Sequence, residues 1–167
     1  MYGRAVATDH IQRRSLTGQR AQVALLGKTS LLVFHIDDCT DDQVLFQAAC
    51  LRANVPVQWH VAESAARGIS YFESLLSLQK RAPVVWPDVV VLDLVMPGES
   101  GLKVLEFIRG NSELAVLPVV VLTGSLSPSL RDEAVRLGAA LVLEKPTSFE
   151  GMVGIVKDIF RRYFRAG

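Results

Sequence analysis

The stretch that decides the fold is residues 89–97, which read VVVLDLVMP. It opens with the apolar run Val89–Leu92, the most continuous in the chain, and this run leads directly to Asp93. Pro83 and Pro87 break the chain just before it. A short apolar run bounded in this way is typical of a strand buried on both faces of a parallel sheet. The stretch therefore predicts a central strand that ends in a carboxylate.

The same alternation of short apolar runs and longer amphipathic stretches extends in both directions from Val89–Leu92. Predicted strands cover residues 31–36, 55–61, 89–92, 119–122 and 141–143. Predicted helices cover residues 40–54, 63–81, 100–109 and 147–164, and a further helix starts at Ser127–Pro128 and stops at Gly138. This alternation predicts an α/β fold: a flavodoxin-like, doubly wound, five-stranded parallel sheet in the order 2-1-3-4-5, with helices on both faces.

Local signals also mark the helix starts and the faces that should be buried. Thr40–Gln43 and Thr147–Glu150 both have the spacing of a capping box, in which the two side chains satisfy free backbone amides. In the first helix, helical spacing predicts a core face formed by Val44, Leu45, Ala48 and Leu51. In the last helix, the predicted core face consists of Met152, Val153, Val156, Ile159, Phe160 and Tyr163.

The composition is that of an ordinary globular protein, and its two cysteines favour a cytoplasmic location. Half of the 167 residues are hydrophobic and 21% are charged. No apolar run approaches the roughly 18 residues of a transmembrane helix, and a signal peptide is not evident. The two cysteines, Cys39 and Cys50, match neither a disulfide framework nor a metal motif. We expect reduced thiols and no membrane partner.

Charge divides the chain into two parts. Residues 1–30 carry five basic side chains and one acidic side chain, whereas residues 31–167 carry 13 basic and 16 acidic side chains, a net charge of −3. We therefore expect a basic N-terminal extension over residues 1–30 and one domain over residues 31–165. The extension should be flexible, as chain termini often are. A mildly acidic domain does not favour nucleic-acid binding.

Polar groups stand at the ends of the predicted strands. Asp37–Asp38 follow the first strand, Asp93 follows the third, Thr123 follows the fourth, and Lys145 follows the fifth. In doubly wound sheets, ligands bind at the carboxyl ends of strands where the strand order reverses, which here lies between strands one and three. These side chains should therefore converge on one crevice.

The chemistry of that set points to phosphoryl transfer. Converging carboxylates repel one another unless protonation or a bound cation offsets their charge, and an oxygen-only cluster with room for waters suits Mg²⁺. A lysine and a threonine hydroxyl that face the same point can stabilise a phosphoryl group. Asp93, at the centre, is the candidate nucleophile.

From Leu31 to Phe164, the chain resembles the receiver domains of bacterial response regulators, including the single-domain chemotaxis type. The resemblance rests on the order and spacing of several short motifs. These are Asp37–Asp38, residues 90–97 (VVLDLVMP) with Gly101, residues 121–124 (VLTG), Gly138–Ala139 and Lys145–Pro146. The resemblance implies a two-component phosphorelay function that is catalytic only towards the protein's own phosphorylation and dephosphorylation.

The resemblance also implies a metal site. Asp93 would be the phosphoacceptor and would contribute to the binding of Mg²⁺. Asp38 would bind the ion directly, Asp37 would hold it mainly through water, and the backbone carbonyl of Val95 would complete the protein ligands. Lys145 and Thr123 would contact the phosphoryl oxygens, and the Lys145–Pro146 peptide would be cis.

Two departures from the family pattern affect expected signalling. Val142 occupies a position that is often aromatic in receivers, so the usual coupling between the threonine and that ring cannot operate. In the family, the side chains at the positions of Val95 and Ser125 help to place the attacking water, and Val95 is apolar. We therefore expect slow or altered self-dephosphorylation. The Pro-rich approach to the third strand is similar to stand-alone regulators paired with phytochrome-type kinases.

The partners implied by the resemblance are a histidine kinase or a phosphotransfer protein. Phe149, Ile155 and Phe164 exceed what the core face of the last helix requires, so a homodimer through helix four, strand five and helix five is one prediction, and a broad internal core is the other. A degenerate receiver that acts as an interaction module is an alternative, which Val142 favours. A related small phosphatase is disfavoured by Val95.

Simpler interpretations of the site residues stay open at this point. Asp37–Asp38 could form only a turn and a helix start, because aspartate favours both. Thr123 could be an ordinary strand-end residue, and Lys145 could be a solvated lysine. The alignment of all of them at strand ends favours the functional interpretation.

Overall fold

A parallel five-stranded sheet forms the centre of the computed structural model, which describes residues 30–125 and 127–163. The strands are β1 (Leu31–Ile36), β2 (Val57–Ala62), β3 (Val89–Leu92), β4 (Val95–Met96), β5 (Glu99–Ser100), β6 (Val119–Thr123) and β7 (Leu141–Glu144). The helices are α1 (Thr40–Arg52), α2 (Ala65–Leu78), α3 (Leu102–Gly110), α4 (Pro128–Arg136) and α5 (Phe149–Tyr163). The predicted N-terminal extension lies almost wholly outside the described residues, and so does Phe164.

The sheet has the order β2-β1-β3-β6-β7, with every neighbouring pair parallel. Since β6 and β7 are its fourth and fifth strands along the chain, the predicted order 2-1-3-4-5 is confirmed. All residues of β1, β3 and β6 are buried, as expected of strands covered on both faces.

Side chains alternate between two cores, one on each face of the sheet. In β3, Val90 and Leu92 join the core formed with α2, α3 and α4, whereas Val89 and Val91 join the core formed with α1 and α5. This alternation follows from the two-residue period of a strand. Within the residues that the structure describes, none of the helices has the length and apolar content needed to cross a lipid bilayer.

The predicted core face of α1 is confirmed only for Leu45, which is partly buried against the core. Val44 and Leu51 are 58% and 79% exposed; the fully buried residues are Gln43, Phe46, Ala49 and Cys50. The helix carries apolar residues on several sides, so spacing alone does not choose the face, and the large Phe46 ring takes the core position. The predicted Thr40–Gln43 capping box is also wrong, because Cys39 is the N-cap and the Gln43 amide donates to the Asp37 carbonyl.

The predicted starts of the last two helices, α4 and α5, have different outcomes. Ser127 caps α4 by accepting from the Leu130 amide, with Pro128 next to it, as predicted. The Thr147–Glu150 capping box is wrong: the Ser148 hydroxyl accepts from the Gly151 amide, and α5 begins at Phe149. The buried face of α5 matches the prediction, and it consists of Met152, Val153, Val156, Ile159 and Phe160, with Tyr163 partly buried.

Several boundaries differ from those predicted for local reasons. Ser64 accepts from the Arg67 amide and so starts α2 at Ala65. At the end of α1, Asn54 adopts a positive φ of 55° and the chain turns, so β2 starts at Val57. A short antiparallel hairpin, β4–β5, precedes α3, where the sequence predicted helix from residue 100. Gly98, with a φ of 79°, makes its turn.

Candidate functional site

The carboxyl ends of β1, β3 and β6 place three polar side chains next to one another. Ile36 pairs with Leu92, and Leu92 pairs with Val121, so the next residues of β1 and β3 leave the sheet at the same edge. The Asp93 amide donates to the Ile36 carbonyl at 2.9 Å and fixes this edge. The result is that Asp37, Asp93 and Thr123 line one crevice, as expected at the point where the strand order reverses.

Three carboxylates form a compact group in this crevice. One oxygen each from Asp37, Asp38 and Asp93 lie within 4.8 Å of one another. Asp37 and Asp93 are 0% and 5% exposed, whereas Asp38 faces solvent. The Lys145 ammonium offsets part of this negative charge, and a bound metal ion would offset the rest. An all-oxygen donor set that is open to water on one side fits Mg²⁺, which keeps part of its hydration shell.

Hydrogen bonds fix the orientation of the Asp93 carboxylate. Its Oδ1 accepts from the Thr123 hydroxyl at 2.7 Å and from the Val95 amide at 2.9 Å. Its Oδ2 lies 2.7 Å from Lys145 Nζ, which donates to it. The Val95 amide thus contributes to the site, whereas the metal contact expected of its carbonyl stays a prediction.

Gly101 lies directly behind the acceptor. A Cβ atom at this position would collide with the Asp93 carbonyl oxygen and lie 2.9 Å from Leu94 Cα. Backbone atoms cannot turn aside as a side chain can, so only glycine allows the start of α3 to approach the acceptor strand this closely.

Lys145 joins the carboxylates from the end of β7. Its Nζ lies 2.7 Å from Asp93 Oδ2, 2.8 Å from Asp37 Oδ2 and 2.7 Å from Asp42 Oδ2. Burial alone would lower the pKa of Lys145, but the three carboxylates raise it above its ordinary value. The ammonium is therefore charged at all physiological pH values.

Asp42 is a site residue that the strand-end pattern does not identify. It lies in the first turn of α1, which follows β1 directly. The start of a helix that follows a parallel strand lies at the carboxyl end of the sheet, where the crevice is. That position was the available signal.

His35 is a second residue next to the site that the strand-end pattern does not identify. It is fully buried in β1, with its ring against Phe46 at a centroid distance of 5.1 Å and its Nε2 3.5 Å from Asp37 Oδ2. Burial would raise the pKa of Asp37, but contacts with His35, Lys145 and the Cys39 amide outweigh it and hold that pKa below its ordinary value. Asp37 is therefore an anion at neutral pH.

Two expectations about the last strand have different outcomes. The Lys145–Pro146 peptide is trans, since no cis peptide bond occurs in the described ranges, and the cis expectation is wrong. Val142 is buried in β7, opposite Val121. No aromatic ring stands at this position, so its expected effect on signalling stays a prediction.

The chain matches one protein family and several curated relatives. The response regulator receiver domain family matches residues 41–157. Transcriptional regulatory protein GltR of Pseudomonas aeruginosa is 28% identical over 136 residues, which cover 81% of this chain and 50% of that protein. Phosphate regulon transcriptional regulatory protein PhoB of Escherichia coli is 32% identical over 77 residues, which cover 46% of this chain and 34% of that protein. The chain thus spans half or less of these relatives.

Solved structures with this fold match most of the chain. Response regulator RPA3017 in red light signalling of R. palustris superposes with a TM-score of 0.70 and 22% identity, over 82% of this chain and 96% of that chain. The phosphorylated cyanobacterial phytochrome response regulator RcpA superposes with a TM-score of 0.69 and 24% identity, over 81% and 94%.

The acidic pair Asp37–Asp38 precedes the matched segment, so its place beside Asp93 rests on the geometry of the crevice. The matched segment itself contains Asp93, Thr123 and Lys145 and covers more than half of the chain. Together with the sheet order, it assigns the protein: this chain belongs to the response regulator receiver domain family.

Proposed function

We propose that this protein accepts a phosphoryl group on Asp93 from a histidine kinase or a phosphotransfer protein in a Mg²⁺-dependent reaction. The observation that carries the proposal is the environment of the Asp93 carboxylate. Thr123 and Val95 contact one oxygen, Lys145 contacts the other, and two further carboxylates lie within metal-binding distance.

Asp37, Asp38 and Asp93, with the Val95 carbonyl, would hold the ion. Bound Mg²⁺ supplies positive charge that offsets the carboxylates and the incoming phosphoryl oxygens. A manganese-bound form of response regulator Rcp1 has the same fold as this chain, with a TM-score of 0.65 at 21% identity. That precedent is consistent with a divalent ion here.

The residues of the chain then have distinct tasks. An Asp93 carboxylate oxygen attacks the phosphorus of a phosphohistidine, the P–N bond breaks, and the released imidazole keeps the electron pair and takes up a proton. The Lys145 ammonium stabilises negative charge on the phosphoryl oxygens, and the Thr123 hydroxyl turns from Asp93 to one of those oxygens. The protein thereby catalyses its own phosphorylation and, with water, its own dephosphorylation.

The wider assignment is a stand-alone, cytoplasmic regulator with its receiver domain over residues 31–165. A bacteriophytochrome response regulator, RtBRR, is 27% identical with a TM-score of 0.63, which supports the phytochrome-related group. The homodimer prediction is kept as well. Of the surplus residues on the last helix, Phe149 is exposed, as is Val135 of α4, and such side chains suit a partner surface. Ile155 instead packs against the core, which supports the broad internal core at that position.

The test is phosphorylation of the full chain with a small acyl phosphate, followed by intact mass. We expect a gain of one phosphoryl group with Mg²⁺, no gain with a chelator, and no gain in Asp93→Asn. Asp132→Asn, which changes an exposed aspartate of α4, is the matched control and should gain the group normally. A folded wild-type protein that gains nothing in Mg²⁺ would favour the alternative, a degenerate receiver that acts as an interaction module.

A further inference from the structure

The Lys145 ammonium is surrounded by more carboxylates than the acceptor site requires. An ammonium has three N–H donors, and Nζ lies within 2.8 Å of one oxygen from each of Asp37, Asp42 and Asp93. Two of these partners come from strand ends, whereas Asp42 comes from the first turn of α1. The lysine is therefore held from two sides of the crevice.

These three carboxylates are not equivalent once a metal is considered. Asp37 and Asp93 belong to the group that can hold an ion, and Asp42 does not. Binding of a cation by Asp37 and Asp93 commits their oxygens and weakens their attraction for a second cation, Lys145. The Asp42 carboxylate keeps its full charge for the ammonium in that state.

The burial of this pair makes the contact effective. The side chains of Lys145 and Asp42 are 13% and 34% exposed, and their atoms are 2.7 Å apart. Charge-assisted hydrogen bonds of this length are stronger than those between neutral groups, and partial burial limits screening by water.

We infer that Asp42 is a positioning residue that holds Lys145 over the acceptor when metal occupies the neighbouring carboxylates. The inference rests on the proposed function. Asp42 acts through Lys145 and does not itself contact the phosphoryl group. Its removal should therefore weaken binding of a phosphoryl group or its mimic more than binding of the metal.

The experiment compares two affinities in the full chain: that for Mg²⁺ alone, and that for beryllofluoride, a phosphoryl mimic, at saturating Mg²⁺. Calorimetry measures both. Asp42→Asn removes the contact with little change in shape. Asp41→Asn is the matched control, because it removes the same charge from the adjacent exposed position of the same helical turn.

We expect Asp42→Asn to bind beryllofluoride about 10-fold more weakly than Asp41→Asn does, the loss typical of one hydrogen bond to a charged group. The Mg²⁺ affinities of the two variants should agree within about 3-fold, because both lose one nearby charge. Asp42→Glu, which keeps the charge, should recover most of the mimic affinity. Thermal unfolding confirms that each variant is folded.

The outcomes separate the inference from the proposed function. Equal or tighter beryllofluoride binding in Asp42→Asn than in Asp41→Asn, with wild-type protein binding the mimic normally, overturns the inference and leaves the proposed function intact. An Mg²⁺ affinity that falls as much as the mimic affinity also overturns it, because Asp42 would then act on the metal. Wild-type protein that binds no mimic in saturating Mg²⁺ contradicts the proposed function itself.

Discussion

The Thr123 hydroxyl donates to Asp93 Oδ1 at 2.7 Å, across the ends of two adjacent parallel strands. This bond joins the proposed acceptor to the residue that is expected to contact the phosphoryl group. It forms because β3 and β6 are neighbours in the sheet although 30 residues separate Asp93 from Thr123 along the chain. The site is therefore a product of the sheet order, and changes that move the β3 end should affect it.

Gly101 provides one such change. Gly101→Ala would force a Cβ into the Asp93 carbonyl, so the acceptor strand or the start of α3 must shift. We expect a loss of about 1–3 kcal/mol in the free energy of unfolding, as for other overpacked sites, together with weaker Mg²⁺ binding. Urea unfolding and calorimetry measure the two effects.

The control for this prediction is Gly154→Ala in α5, where a Cβ has open space around it. That variant should be about 0.5–1 kcal/mol more stable, since alanine suits a helix better than glycine does. If the two variants were equally stable, the close approach at Gly101 would not be restrictive.

Arg109 should make a large structural contribution at the far end of α3. Its guanidinium donates to the carbonyls of Ala115, Leu117 and Gly138. Burial lowers the pKa of Arg109, which stays charged at neutral pH. In Arg109→Ala, water can replace the donor at the exposed Ala115 and Gly138 carbonyls, whereas the Leu117 carbonyl is part-buried. We therefore expect a loss of about 1–2 kcal/mol in the free energy of unfolding.

Arg136→Ala is the comparison for Arg109. Arg136 forms an exposed ion pair with Glu133 at 3.6 Å, and such pairs contribute roughly 0–1 kcal/mol. Chemical unfolding of both variants gives the difference. A loss below about 1 kcal/mol for Arg109→Ala would contradict the claim that the Arg109 guanidinium stabilises the fold by linking these carbonyls.

The two cysteines should react at very different rates. Cys39 is exposed, whereas Cys50 is buried, and burial raises the pKa of the Cys50 thiol from 9.0 to about 12. Because the thiolate is the reactive form, a disulfide reagent at pH 8 should modify one thiol in the folded protein and two after unfolding. Rapid modification of both thiols in the folded protein would contradict the packing of α1.

The same pKa shift has a direction for stability. The folded-state pKa of Cys50 lies above its ordinary value, because the buried thiol ionises less readily than the thiol of the unfolded chain. The contribution of the buried neutral thiol to the free energy of unfolding is therefore fully present below pH 9 and is lost as the pH rises towards 12. Cys50→Ala should therefore lose less stability than wild-type protein does between pH 8 and pH 10. Denaturant unfolding at the two pH values measures the difference.

Val95 should control the lifetime of the phosphoryl group. Its side chain is 54% exposed beside Asp93 and offers no polar atom to place attacking water. Val95→Asn should shorten the lifetime by about 3-fold or more, because an amide can orient water, and should change stability by less than about 0.5 kcal/mol. Val116→Asn, at another exposed valine, should leave the lifetime unchanged. Equal lifetimes of the phosphoryl group in the two variants would show that Val95 does not affect dephosphorylation.

Sequence reasoning was most successful where burial was complete. The bounds of β1 and β3 agree with the prediction, because strands covered on both faces are uninterrupted apolar runs. The convergence of Asp37, Asp93, Thr123 and Lys145 was also foreseeable, because the carboxyl ends of parallel strands meet at one edge. The chemical roles of these residues stay predictions until they are tested.

Other features depended on contacts that the sequence does not encode locally. The buried face of α1 was ambiguous because apolar residues occur all round the helix, and the packing of Phe46 decided it. The β4–β5 hairpin has two-residue strands, which are too short to show a period. The contact between Asp42 and Lys145 joins residues 103 apart along the chain and depends on the rotation of α1 about its axis.

The most direct test of the central claim is to locate the phosphoryl group chemically. Protein treated with acyl phosphate and Mg²⁺ would be reduced with borohydride, which converts an aspartyl phosphate to homoserine, and then digested for peptide mass spectrometry. We expect homoserine at position 93, absent when Mg²⁺ is chelated and absent in Asp93→Asn. Homoserine at another aspartate, or unmodified Asp93 in a folded protein with bound Mg²⁺, would contradict it.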